Sequence, residues 1–162
     1  EPFKDAVKIY VNGGIGYVKR EDIPLVKNTS ESRDKAPLLI ENKLIDVHKV
    51  IVPKAIGSGN LQTDKVNPIY AEPNTCCSET YLVIGPFADK EQCENVMSYI
   101  KTKFFHFMFG LKKITQNTVK DTYQFVPQQD FSKPWTDEEL YKKYKLTEEE
   151  ITYIEIMVRP ME

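Results

Sequence analysis

Between residues 89 and 111 the chain carries one apolar stripe long enough to organise a core by itself. Cys93, Val96, Met97, Ile100, Phe104, Phe107, Met108 and Leu111 recur at steps of three and four, the spacing that gathers side chains on one face of a helix. Asp89 followed by Gln92 has the form of a capping box, so the start of the helix is marked as well as its buried face. Each large side chain of the stripe contributes roughly 1.5–3 kcal/mol on burial, before the entropy of ordering is set against it. Lys101, His106 and Lys112 fall away from the centre of the stripe. A helix of this kind needs a surface to pack on.

Short strand-like runs supply it. Residues 6–11 and 15–18 flank Asn12-Gly13-Gly14, a hairpin signal because Asn and Gly accept positive φ. Residues 44–52 alternate, with Ile45, Val47 and Ile51 to one side and Asp46, His48 and Val50 to the other, and stop at Pro53. Residues 80–84 form a further apolar strand that Gly85-Pro86 should end, and 123–126 read as another, ending at Pro127. Residues 27–37 and 57–75 are expected to be loops. In the tail, Thr136 with Glu139 and Thr147 with Glu150 are successive capping boxes. Trp135 with Leu140, and Leu146 with Ile151, stand at the positions of hydrophobic staples. The expected fold is therefore α+β: a mixed sheet, one long amphipathic core helix and a C-terminal two-helix tail. An α+β domain over 1–130 is followed by the helical tail over 131–162, packed on it or on domains elsewhere.

Composition narrows the function classes. With 162 residues, 41% hydrophobic and 28% charged, the chain suits one globular domain. No apolar run approaches the roughly 18–20 residues of a membrane span, and the N-terminus has no signal-peptide pattern. Cys76, Cys77 and Cys93 are odd in number and lack C-x-x-C spacing, which fits reduced thiols in a cytoplasm and gives no zinc site. Net charge is −2, but residues 128–162 hold a net −4 and the rest a net +2. Lys101, Lys103, Lys112, Lys113 and Lys120 lie in a 96–120 stretch without an acid, a modest basic stripe.

Catalytic chemistry is hard to assemble from these residues. His48 and His106 are the only histidines, and no spacing ties either to a cysteine nucleophile. Gly13-Gly14-Ile15-Gly16 lacks the ending of a phosphate loop. Asn67-Pro68-Ile69-Tyr70 approximates the Asn-Pro-Pro-Tyr motif that holds a flipped adenine in amino-group DNA methyltransferases. Ile69 replaces its second proline, and no glycine-rich cofactor loop precedes it, so a proline-bearing loop is the better reading.

From about Asn74 onward the chain resembles the C-terminal region of bacterial type II restriction–modification adenine-specific DNA methyltransferases, including chains that fuse endonuclease to methyltransferase. The likeness is carried by Glu79-Thr80-Tyr81-Leu82-Val83-Ile84-Gly85, Tyr99-Ile100-Lys101-Thr102-Lys103-Phe104-Phe105 and Lys113-Ile114-Thr115-Gln116-Asn117. Val126-Pro127-Gln128-Gln129-Asp130-Phe131 and Trp135-Thr136-Asp137-Glu138-Glu139-Leu140-Tyr141-Lys142-Lys143-Tyr144 follow. Lys49-Val50-Ile51-Val52-Pro53-Lys54 before a Gly-Ser-Gly loop extends it more loosely. The resemblance implies a target-recognition domain that binds double-stranded DNA beside the parent chain's catalytic domain. S-adenosylmethionine, and Mg where the parent also cleaves, would belong to that parent; this fragment would hold no cofactor, metal or catalytic residue. Lys101, Lys103, Lys112 and Lys113 become candidate phosphate contacts. Gln116 and Asn117, with Lys54, Ser58 and Asn60 on the glycine loop, become candidate base contacts. Two rival readings are a protein-interaction module without DNA contact, using the acidic tail, and a small hydrolase using Cys76 or Cys77.

Overall fold

A computed structural model describes residues 6–23 and 44–160. The expected loop at 27–37 lies outside them. Ten regular elements run in the order β1 (Ala6–Val11), β2 (Gly14–Lys19), β3 (His48–Pro53), β4 (Ile69–Ala71), β5 (Thr75–Cys77), β6 (Tyr81–Phe87), α1 (Lys90–Ile100), α2 (Lys103–Gly110), α3 (Asp137–Lys143) and α4 (Glu148–Met157). The fold is α+β, with two three-stranded sheets in place of one, ordered β2-β1-β5 and β4-β3-β6.

The first hairpin forms where the sequence places it, Val11 opposite Gly14, with only Gly13 of the two turn residues at positive φ (96°). β1 then pairs in parallel with β5, and β3 pairs antiparallel with both β4 and β6. β3 is central and buried on both faces. Val50 and Val52 join the cluster built by α1 and α2, while Ile51 packs with Tyr10, Ala71 and Cys77 towards the other sheet. That two-sided burial replaces the expected alternation over 44–52, whose first four residues fold as a turn. β4 and β5 fall in the expected 57–75 loop or at its edge; three-residue strands leave little periodicity to read.

Nor does Gly85-Pro86 stop β6. The strand continues to Phe87 through a cis bond at that step, opposite a register shift between His48 and Val50. Gly85 sits at φ 154°, and a Cβ there would meet the Lys49 Cβ at 3.2 Å. Glycine is needed at that crossing.

The amphipathic segment spans 90–110, interrupted at Lys101-Thr102. Thr102 is extended (ψ 152°), and its hydroxyl accepts from Phe105 N at 3.1 Å while donating to Tyr99 O at 2.7 Å. Asp137 then accepts from Lys103 N and Phe104 N at 3.0 and 2.9 Å, capping α2 from the start of α3. Asp89 caps α1 by accepting from Gln92 N, and the Gln92 side chain reaches back to Ala88 N. Both tail capping boxes close as read, at Thr136/Glu139 and Thr147/Glu150. Trp135, Leu140, Tyr141 and Ile154 share the cluster of α1, α2 and β3. The expected strand at 123–126 is instead a 3-10 turn over Lys120–Tyr123 with a loop after it. Tyr123 turns its ring onto Phe109, 4.9 Å between centroids, and this packing takes the place of strand pairing.

One charged residue lies inside the stack. Lys49 is fully buried, and its ammonium donates to Ile45 O, Val47 O and Glu72 O at 3.1–3.2 Å. Burial pushes it down to about 8, so at neutral pH it is mostly protonated and all three N–H groups have acceptors. The contacts tie β3 to the turn before it and to the loop that leads into β5. Lys49→Ala takes from Val47 O its ammonium donor, leaves Ile45 O and Glu72 O with Thr75 N and the Thr75 hydroxyl alone, and opens a void; it should cost about 3 kcal/mol. Urea unfolding checks this: the midpoint should fall at unchanged slope, and a loss under about 0.5 kcal/mol would show that the carbonyls do not depend on the ammonium.

Candidate functional site

The chemistry of the candidate site begins with glycines. Gly57 (φ 55°) and Gly59 (φ 91°) bend the chain after β3 so tightly that a Cβ on Gly57 would fall 1.7 Å from Asp64 Oδ1. Within this bend Asp64 accepts from Ser58 N at 2.9 Å and Gly59 N at 2.6 Å. Its remaining partner is the Lys113 ammonium, 2.5 Å away, and both side chains are buried. Burial alone would raise the Asp64 carboxyl, but Lys113 and the two amides together hold it below the ordinary carboxylate range. Val66 N, just beyond, donates to His106 Nε2 at 3.0 Å, and Leu61 lies against Gly110, where a Cβ would meet it at 2.1 Å. The glycine loop is thereby fastened at three points, to His106 and Gly110 of α2 and to Lys113 in the turn after it.

The segment after α2 is fastened to the same loop through backbone. Ile56 N donates to Gln116 O at 2.9 Å, Ala55 and Asn117 form an antiparallel bridge, and Thr118 N donates to Lys54 O at 2.7 Å. Gly59 faces the carbonyl of Ile114, which a Cβ would approach to 3.7 Å. The two groups of candidate base contacts, Lys54, Ser58 and Asn60 on one side and Gln116 and Asn117 on the other, are therefore brought together by their backbones although some 60 residues separate them. Ser58, Asn60, Gln116 and Asn117 are exposed and Lys54 is half-buried. Asn60 Oδ1 accepts from Gln62 N at 2.9 Å, which holds this exposed side chain against its own loop.

The four lysines separate. Lys113 lies beneath the surface, 7% exposed and ion-paired to Asp64, so the expectation of a phosphate contact there is corrected: its charge holds the loop. Lys103 pairs with Glu155 of α4 and is largely covered. Lys101, exposed, caps the C-terminus of α1, and Lys103 opens α2 about 10 Å along the helix from Gly110, where Leu61 of the glycine loop rests, at 1.5 Å per residue. Lys112 is exposed beside the candidate surface, donating to Gln124 Oε1 at 2.5 Å and lying 5.6 Å from the centre of the Phe125 ring. Sequence reasoning overlooked Asp64 and Ile114. Only the glycine pair seven and five residues before it marks Asp64 as a loop anchor, and an exposed isoleucine leaves no local signature.

Elsewhere the chemistry is structural. Cys76, Cys77 and Cys93 are free and buried, and burial pushes their thiols up to about 11, 12 and 11. Such thiols stay protonated and unreactive near neutrality. His48 Nδ1 bonds Tyr70 OH at 2.8 Å, and Tyr70 lies on β4, so Asn67-Pro68-Ile69-Tyr70 leads into a strand. His106 uses both nitrogens: Nε2 accepts from Val66 N and Nδ1 faces Thr102 O at 2.9 Å, which places the proton on Nδ1. Among the described residues no three His, Cys, Asp or Glu side chains converge on a metal position, and no helix is long and apolar enough to cross a membrane. No family model matches the chain, and neither a curated protein nor a solved structure does.

Asp64→Asn removes the counter-charge of a buried lysine, and should cost about 3–5 kcal/mol. Amide exchange at Ser58 and Gly59 should quicken, and unaltered exchange would mean that the loop does not rest on this carboxylate. Burial holds the His106 imidazole below its ordinary value, although the Thr102 carbonyl opposes this. The neutral form is therefore favoured by folding. Stability linked to it is whole above the ordinary value of about 6.5 and declines as pH falls from there through the depressed folded value. His106→Gln, whatever its own cost, should flatten the fall of Tm between about pH 7 and 5; an equal slope would assign that fall to other groups.

Proposed function

We propose that the chain is the DNA sequence-recognition part of a restriction–modification adenine methyltransferase, with or without a fused endonuclease, holding duplex DNA for a catalytic domain outside these residues. One observation supports it above the rest: the glycine loop and the 114–118 segment, singled out separately in the sequence, meet through backbone bonds and leave exposed amides and a hydroxyl on a fixed frame. Asn and Gln side chains match the donor and acceptor edge of adenine in the major groove, and a serine hydroxyl suits several bases. In this reading Lys112 supplies a phosphate contact beside the frame, and Lys101 has a more distant role. The parent chain would bind S-adenosylmethionine, and Mg for cleavage.

A second reading is a protein-docking module. It is favoured by an open apolar groove of about 370 Å³ between α2 and α4, lined by Phe104, Phe107, Met108, Leu146, Tyr153 and Ile154, with Glu149 and Glu150 at its side. The two readings use different faces, because α2 presents its C-terminal end to one and its flank to the other. Both faces can serve one protein if the groove receives a neighbouring domain.

Fluorescence anisotropy with a pool of random-sequence duplexes separates them. Affinity should fall steeply as salt rises, because phosphate contacts release counterions. Lys112→Glu should weaken binding to all sequences alike and lower the salt slope by about one, with Lys101→Glu having the smaller effect. Gln116→Ala should instead relax discrimination at one base pair, by about 1–3 kcal/mol. Salt-insensitive or absent binding would favour the docking module.

A further inference from the structure

Nine large hydrophobic side chains are exposed among the described residues, and four of them, Leu111, Ile114, Val119 and Phe125, fall within 111–125. Ile114 is the extreme case at 88% exposure. It does not sit on a loose loop. Lys113 before it is anchored in the buried pair with Asp64, Gly59 lies against its carbonyl, the Thr115 hydroxyl donates to Asn117 O, and Gln116 O accepts from Ile56 N. A β-branched side chain is stiff at χ1, so its direction is set by this backbone. Single exposed apolar residues are ordinary on protein surfaces. One that is held rigidly in water between candidate base-reading groups calls for a partner surface.

We infer that Ile114 is a specificity-determining residue that packs on the C5-methyl group of a thymine. The inference rests on the DNA-recognition reading above. In the major groove the thymine methyl is the one apolar group that base edges present, and aliphatic side chains read it by contact. Gln116, two residues on, carries an amide suited to the N6 and N7 of adenine. An A·T pair displays both features on a single edge, so the two side chains together select A·T pairs at adjoining positions of the target.

The test starts with the chain as it stands, used to select a preferred duplex from a random pool. Each thymine of the selected site is then replaced by uracil, which removes only the methyl group. At one position the wild type should lose about fourfold in affinity, the worth of one buried methyl. Ile114→Ala should bind thymine and uracil forms of that site equally, while Ile114→Val keeps most of the difference. Both substitutions fall at an exposed side chain, so folding is preserved, and unchanged Tm confirms it. If no uracil substitution matters, if the selected site has no thymine, or if Ile114→Ala loses as much as the wild type, Ile114 does not read thymine although the DNA reading stands. Absence of salt-sensitive binding to any duplex overturns both and turns Ile114 towards a protein surface.

Discussion

The candidate surface depends on a buried ion pair between two loops. Asp64 closes the glycine bend on itself through two amides and then, through Lys113, joins that bend to the segment leaving α2. Burying either charge alone would carry a large desolvation penalty. Here each has its partner, and the carboxylate is further satisfied by backbone N–H groups, the arrangement in which a buried pair is tolerable. The pair orders two segments that are themselves neither helix nor strand. The Val66–His106 bond and the seat of Leu61 on Gly110 then fix the far side of the loop.

The fold divides in a similar way. Helix α1 covers one face of the β4-β3-β6 sheet and shares its apolar cluster with α2, while Ile51 of β3 packs with Tyr10 and Cys77 of the other sheet. Lys49 sits where the two sheets meet, with carbonyls on three sides. An isoleucine or leucine would fill similar space, but it could not donate to Val47 O or give Ile45 O and Glu72 O a donor beyond Thr75. The lysine serves as an internal cation that joins three carbonyls from the segments before β3 and β5.

Elements marked by local chemistry were legible in the sequence: the Asn12-Gly13 hairpin, the strands at β1, β3 and β6, and the capping boxes at Thr136 and Thr147. Their determinants lie within a few residues of one another. The break at Thr102 was not legible, because the apolar stripe passes from Ile100 to Phe104 at its usual step of four, and the cap that stabilises the break comes from Asp137. The strand expected at 123–126 failed for the opposite reason: its composition suits a strand, but among the described residues it pairs with none, and the ring of Tyr123 packs on Phe109. Among the candidate site residues, those at 54–60 and 116–117 came from the family resemblance, and their meeting follows from long-range pairing that no local pattern encodes. Lys113 looks like its neighbour Lys112 in sequence. The turn after α2 sends one inward and the other out.

The ladder between 54–56 and 116–118 is made entirely from backbone groups and the Thr118 hydroxyl. The side chains of Gln116 and Asn117 take no part in holding it. Their identities are consequently uncoupled from the frame, as are those of Ser58 and Ile114, whose main chains alone are engaged. Such a surface can be rewritten one side chain at a time with little change in folding free energy, since exposed substitutions away from structural contacts usually stay within about 0.5 kcal/mol. Frame and surface chemistry are thus separable here: a library randomised at these four positions should be populated mainly by folded members.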